Sequence, residues 1–482
     1  MNLTSVLLGL IFVLNVVSAV FVIFRERRDV GATWAWLLVL LFIPLLGFVL
    51  YLLFGQNLRR DRLFQWEDLK ELGIDRIVGE QLAQMNTQQF EFRSPAARAN
   101  RDLIYMHLIN NQALLTEDNR VDLFTDGGEK FERLFRDIEE AREYIHLQYY
   151  IIQNDELGVR LIRALTKKAR EGLKVRVLYD ELGSRSLGRA FFREFRQAGG
   201  EAEAFFPSKF RLLNYRLNYR NHRKLVIIDG TTGYVGGFNV GDEYLGLHPR
   251  FGYWRDTHVR IQGSAVYAMQ IRFILDWNQA SHDYDITYMP SLFPAQRFDG
   301  DVGIQIVTSG PDSEFEHIKN GYLKMISSAS ESIYIQTPYF IPDASILDAL
   351  RIASFSGVRV NIMIPDKPDH PFVYWASLSH IGELLKSGAV VYLYGSGFIH
   401  AKTLVVDGQM ASVGTANIDV RSFKLNFEVN AFLYDEGISR ELMEAFHRDI
   451  GVSRILTLQE YRRRSGWIRF KESISRLLSP IL

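Results

Sequence analysis

The chain has 482 residues, more than one core fills, so two or more folded units are expected. Its 56 Lys and Arg balance 56 Asp and Glu, which argues against a dedicated nucleic-acid binder, since such proteins carry a basic excess. No cysteine is present, which excludes disulfides, thiolate metal sites and cysteine catalysis.

Residues 1–24 carry no charged side chain and include LLGLIFVLNVVSAVFVIF, longer than the apolar core of about 7 to 15 residues in a signal peptide. After RERRD comes a second uncharged run, Val30 to Leu58. Together they predict a two-helix transmembrane hairpin over residues 1–58, with Trp34, Trp36 and Tyr51 near the ends as interfacial anchors. Arg25, Arg27 and Arg28 in the turn stand against Arg59, Arg60, Arg62, Lys70 and Arg76 after the second span, a bias toward a cytoplasmic catalytic part on the cell membrane.

Residues 59–118 are charged and helical in pattern, with a break at Ser94-Pro95, and predict a connecting or surface-lying segment without chemistry. Phe64 and Trp66 there suit packing or lipid contact equally.

Two halves then repeat, 119–299 and 300–482. FERLFRDIEEAREYIHLQYYII (131–152) is echoed by FEHIKNGYLKMISSASESIYIQTPYFI (315–341), an amphipathic helix followed by a strand holding Gln148 or Gln336. GLKVRVLYD (172–180) is echoed by GVRVNIMIPD (357–366), a buried strand ending in an acid. Alternating helix and strand predict α/β units with largely buried sheets flanked by helices.

Each half closes on the same pattern of functional groups. NHRKLVIIDGTTGYVGGFN (221–239) and HAKTLVVDGQMASVGTAN (400–417) share a His, a Lys at +2, an Asp at +7, a Gly at +14 and an Asn at +17: His222, Lys224, Asp229, Gly236, Asn239 and His400, Lys402, Asp407, Gly414, Asn417. A packing pattern asks for apolar alternation and has no use for a repeated His and Lys. The β-branched runs ending in Asp-Gly predict hairpins. His and Lys at i and i+2 share a strand face, while the Asp at an odd offset points away and braces the framework. One further acid follows each motif, Asp256 in YWRDTHV and Glu428 in NFEVN, at +34 and +28 from its His.

The duplicated HxKxxxxD with its Gly and Asn resembles the signature of the phospholipase D superfamily. The membrane hairpin, YWRDTHVRIQG (253–263) and TPYFIPD (337–343) are similar to the bacterial cardiolipin synthase family within it. The resemblance implies two pseudo-symmetric units facing across a twofold axis and meeting at their His-Lys strands. It implies that Asp256 and Glu428 hydrogen-bond the far nitrogen of the catalytic imidazoles. The reaction it implies is transfer of a phosphatidyl group between two phosphatidylglycerol molecules through a phosphatidyl-histidine, giving cardiolipin and glycerol. A phospholipase D-type lipid hydrolase and a phosphatidylserine synthase are the alternatives.

A phosphodiester repels nucleophiles, and Lys224 and Lys402 supply the countering charge. With an unperturbed pKa of about 6.5, one imidazole can be a neutral nucleophile near pH 7 while its partner is protonated. By analogy with the superfamily His222 attacks phosphorus and His400 serves as acid and base, and symmetry leaves the reverse open. Asn239 and Asn417 would donate to phosphate oxygens, and no metal or other cofactor is called for. The expected partners are phosphatidylglycerol, other anionic phospholipids and the bilayer, and no nucleic acid. KFRLLNYRLNYRNHRK (209–224) would suit an anionic headgroup entrance or a solvated loop. The C-terminal helix carries Trp467, Phe470, Ile474, Leu477 and Ile481 on one face, which suits an interfacial helix but is expected to dock on the protein.

Overall fold

The computed structural model describes residues 73–188, 190–207, 218–281, 285–295, 298–477 and 479, with 30–43 and isolated positions elsewhere before 52. Helix α1 (Val30–Phe42) is 13 residues long, and among the described residues no helix is long and apolar enough to cross a membrane. Most of the expected hairpin lies outside the described residues, Arg25 to Arg28 and Arg59 to Lys70 included, as do Phe64 and Trp66. Of the expected anchors, Trp34 is exposed, whereas Trp36 meets Tyr51 edge-on at 5.4 Å.

The connecting segment folds as α2 (Ile74–Asn86), a short helix Pro95–Ala99 and α3 (Arg101–Asn111). Ser94 Oγ accepts from Ala97 N at 3.3 Å and Pro95 takes the first helical position, where no N–H is needed, so the Ser-Pro break is a helix start. The segment is not merely surface-lying: α3 buries Leu103, Ile104 and Leu108. The Ile104 carbonyl accepts from Gln305 of the second half at 3.0 Å.

The first half continues as β1 (Thr116–Phe124), α4 (Gly127–Glu140), β2 (Tyr144–Tyr149), α5 (Glu156–Arg170), β3 (Lys174–Asp180), β4 (Glu201–Phe205), β5 (Leu225–Ile228), β6 (Thr232–Gly236), β7 (His258–Gln262) and α6 (Ala265–Ala280). The second runs β8 (Val302–Ser309), α7 (His317–Ser328), β9 (Ser332–Gln336), α8 (Ala344–Phe355), β10 (Arg359–Pro365), α9 (Pro371–Ser387), β11 (Val390–Tyr394), β12 (Thr403–Val406), β13 (Met410–Gly414), β14 (Asn426–Tyr434), α10 (Glu436–Ile450), β15 (Ser453–Ile455) and α11 (Gly466–Leu477).

These fifteen strands, with the two-residue strand Arg220–Asn221 alongside β14, join into one 16-stranded sheet. At its middle β1 and β8 pair antiparallel. Outward from them the order is β7-β6-β5-β2-β3-β4 on one side and β14-β13-β12-β9-β10-β11 on the other, with β15 at the second edge. The same order in both directions is a pseudo-twofold. Strand β2 is buried along its whole length, as a strand covered on both faces must be. Helix α4 starts where the Asp126 carboxylate accepts from Glu129 N at 3.1 Å. It buries Phe131, Leu134 and Ile138, each contributing about 1.5 to 3 kcal/mol.

The motif hairpins turn at Asp229-Gly230 and Asp407-Gly408, all four residues at positive φ (51°, 65°, 52° and 63°). Asp tolerates the left-handed region because its short side chain bonds nearby backbone.

Candidate active site

The residues just before each histidine are stitched to the opposite half. Arg220 and Asn221 pair in parallel with Asn426 and Phe427, and Phe398 and Ile399 pair in parallel with Trp254 and Arg255. The ladder continues one step: His222 N donates to Phe427 O at 3.0 Å and His400 N to Arg255 O at 2.7 Å. This register sets His222 beside Glu428 and His400 beside Asp256.

His222 Nδ1 lies 2.9 Å from both carboxylate oxygens of Glu428, and His400 Nδ1 lies 2.6 Å from Asp256 Oδ2. A buried carboxylate only accepts, so Nδ1 carries the hydrogen in each dyad and Nε2 is left for substrate. The sequence places one acid after each motif and leaves open which histidine it serves; in the structure each acid serves the histidine of the other half, so the partners are exchanged across the twofold. The two acids are held differently. Thr415 Oγ1 donates to Glu428 at 2.5 Å and Asn426 Nδ2 at 3.2 Å, whereas Asp256 receives Thr257 N at 2.7 Å. At the position equivalent to Thr415 stands Gly237, where a Cβ would meet Asp256 Oδ1 at 1.9 Å.

Lys224 and Lys402 are fully buried beside the dyads. Lys224 Nζ donates to His222 O at 2.7 Å, Lys402 Nζ donates to His400 O, and Lys402 Nζ also lies 2.9 Å from His400 Nδ1. Burial pushes Lys224 down to about 7 and Lys402 down to about 8. Burial pushes His222 down to about 4; burial and then Lys402 push His400 down to about 4. Burial would raise both acids, but His400 and Lys402 hold Asp256, and His222 and Lys224 hold Glu428, below the usual carboxylate range. Both imidazoles are therefore neutral at pH 7, in place of the one neutral and one protonated ring expected from the unperturbed value. A phosphodiester anion beside them opposes both burial and the lysines, and so favours the imidazolium.

Asp229 and Asp407 sit at the far ends of the hairpins, away from the histidines. Asp229 accepts the N–H groups of Arg142, Glu143 and Tyr144 at 2.8 to 2.9 Å, and Asp407 those of Ser330, Glu331 and Ser332 at 2.7 to 2.8 Å. Each ties its hairpin to the start of the neighbouring strand. Asn239 and Asn417 line the same cavity as the histidines, but their amides already serve the scaffold: Asn239 Nδ2 donates to Tyr244 at 3.2 Å and Asn417 Nδ2 to Asp419 at 3.1 Å. Each amide keeps a second N–H.

Behind the dyads lie matching buried ion pairs, Arg223–Asp276 at 2.7 Å and Arg255–Asp449 at 2.9 Å. Gln148 and Gln336 donate to these same aspartates, both at 2.7 Å. The repeated glutamines were visible in the sequence, and their partners on α6 and α10 were not.

The histidines open into a cavity of about 490 Å³ that includes Tyr150, Arg220, Glu243, Trp254, Tyr339 and Arg421. Sequence comparison of the halves passed over most of these, because they are where the halves differ: Arg421 follows Asn417 by four, and Glu243 follows Asn239 by four. Lys209, Arg211 and Arg216 of the basic stretch lie outside the described residues, and Arg220 lines the cavity. Among the described residues no three His, Asp or Glu side chains gather as a metal site.

Two imidazole–carboxylate dyads facing one cavity, each from a duplicated HxKxxxxD hairpin, define a phospholipase D-like protein. A family model described as cardiolipin synthase, PLD-like domain, matches residues 134–249 and 322–450, and one described as phospholipase D-nuclease N-terminal matches 13–56. The chain is 67% identical to the major cardiolipin synthase ClsA of Bacillus subtilis (strain 168), and 55% identical to a cardiolipin synthase of Listeria monocytogenes, in each case over 100% of both chains. It belongs to the cardiolipin synthase family. The crystal structure of phosphatidylserine synthase from Haemophilus influenzae, 17% identical, matches 80% of this chain and 100% of its own with a TM-score of 0.61, a likeness of fold.

Proposed function

We propose that the chain joins two phosphatidylglycerol molecules into cardiolipin, releasing glycerol, through one covalent histidine intermediate. The carrying observation is the exchange of acids across the twofold: neither half holds a complete His–carboxylate dyad, so the two motifs form one site. His400 takes up a proton at Nε2 as the phosphodiester anion binds; His222 Nε2 then attacks phosphorus, the bond to the glycerol oxygen breaks, and His400 gives that oxygen its Nε2 proton. The terminal hydroxyl of a second phosphatidylglycerol then loses its proton to His400 and attacks phosphorus, breaking the P–N bond and freeing His222. Glu428 and Asp256 hold the rings and offset their positive charge. Each lysine uses one donor on a backbone carbonyl and keeps others for the equatorial oxygens, joined by the second N–H of Asn239 and Asn417. Asp229 and Asp407 hold the hairpins.

Breaking and making similar phosphodiesters leaves little free-energy difference, so no activated donor is required and excess glycerol drives the reaction backward. The substrates reside in a bilayer, and a two-span hairpin over 1–58, with the catalytic part cytoplasmic, would keep the site beside them. That reading is supported by the uncharged runs and by the N-terminal family match. The division into a connecting segment (59–118) and two catalytic units (119–299 and 300–482) is supported by the mirrored strand order. With labelled phosphatidylglycerol in detergent micelles containing EDTA, cardiolipin and glycerol should appear in equal amounts. Phosphatidic acid as sole product would make the chain a hydrolase.

A further inference from the structure

Helix α11 is attached the wrong way round for a docked amphipathic helix. Its buried residues are Glu472 and Ser475. Glu472 is held by both arms of Arg464 at 2.7 Å, and Arg476 bridges to Glu383 of α9 at 2.8 Å. The apolar stripe expected to dock faces outward instead: Trp467 is 64% exposed, Phe470 55%, Ile474 41% and Leu477 76%. Ile481 lies outside the described residues. Trp467 and Phe470 stack on each other at 5.5 Å rather than on a partner element.

We infer that α11 is an interfacial helix that lays this stripe into the surface of a bilayer rich in anionic phospholipid. Basic groups border the stripe along the chain: Lys471 reaches the Trp467 ring, and Arg462, Arg463 and Arg469 are exposed and available to anionic headgroups while the apolar residues enter the acyl boundary. The stripe is also linked to the catalytic cavity. His370 and Val373 line that cavity, and Phe372 between them is 57% exposed. One turn further along α9 stands Trp375, and Lys471 bridges from it to α11, its Nζ 5.1 Å from the Trp375 ring and 5.4 Å from the Trp467 ring. A belt of aromatic side chains thus runs from the cavity rim to the exposed helix. A second copy is a poorer occupant, because a twofold contact would set the same basic border against itself.

This inference rests on the proposed lipid substrate, and its test does not need turnover. The chain has no cysteine, so Phe470→Cys and Ser473→Cys give single attachment sites for a nitroxide on the full chain, reconstituted in phosphatidylglycerol vesicles. The probe at 470 should be relaxed by oxygen and shielded from a water-soluble nickel chelate, and the probe at 473 should be reached by nickel. Equal nickel access at both positions overturns the proposal, and so does probe–probe dipolar broadening, which would assign the face to a second copy. In addition, Trp467→Glu with Phe470→Glu should lower turnover on vesicles roughly tenfold while leaving turnover in detergent micelles within about twofold. An equal loss in both would mean the stripe serves folding, and no loss on vesicles would mean the bilayer does not use it. Hydrolysis in place of transfer would sink the proposed reaction and leave the probe result standing.

Discussion

Adding one methyl group at Gly237 tests how Asp256 holds His400. The new Cβ would stand 1.9 Å from Asp256 Oδ1 and 2.6 Å from its Cγ, where ordinary contact begins near 3.4 Å. The carboxylate must retreat about 1.5 Å, which lengthens the 2.6 Å contact to His400 beyond hydrogen-bonding range. Loss of the imidazole's orienting partner should lower kcat for Gly237→Ala about 10² to 10³-fold. The opposite half supplies the comparison. Thr415→Gly removes one hydroxyl from Glu428 and leaves both His222 contacts, so the loss should be about tenfold, the worth of one hydrogen bond to a charged group. Cardiolipin formation in micelles, with a thermal melt to confirm folding, measures both. A folded Gly237→Ala variant within about threefold of the parent would refute the claim that Asp256 positions His400.

The two histidines act in one site, so His222→Ala and His400→Ala should each lose about 10³-fold or more and the double variant little further; two half-active single variants would mean two sites. In the free enzyme both imidazoles, pushed down to about 4, should stay neutral until near pH 4 when followed by NMR, His400 gaining its proton only as the phosphodiester anion binds. Activity should fall as pH rises through about 7 to 8, where Lys224 and Lys402 lose their charge; imidazoles titrating near 6.5 in the free enzyme would contradict the burial argument. Asp229→Ala removes the acceptor of three backbone N–H groups at the hairpin's far end and should cost about 2 to 3 kcal/mol of stability in denaturant melts with kcat of the folded protein nearly unchanged; a large kcat loss without destabilisation would place Asp229 in the chemistry.

What the sequence made legible is what repeats. The echoed helix, strand and hairpin foretold two like α/β halves, and the paired His-Lys-Asp spacing foretold both hairpins and their bracing aspartates. The exchange of acids was not legible, because Arg220–Asn221 pairing with Asn426–Phe427 depends on how the halves are set against each other, and intervals of 34 and 28 carry no trace of it. Arg421 and Tyr150 escaped for the opposite reason: comparison of two halves detects shared groups, while Tyr150 has Pro338 at its counterpart. The apolar stripe of α11 was visible, but which face docks is decided by Arg464–Glu472 and Arg476–Glu383, contacts between polar groups that a hydrophobic pattern does not weigh.

The covalent histidine is tested most directly by quenching steady-state turnover of labelled phosphatidylglycerol in denaturant and mapping the peptides by mass spectrometry. A phosphatidyl group should be found on the peptide containing His222, and a glycerol chase before the quench should remove it and return phosphatidylglycerol. Cardiolipin formed at full rate with neither His222 nor His400 ever carrying the group would contradict the two-step transfer, and the group on His400 would reverse the two roles.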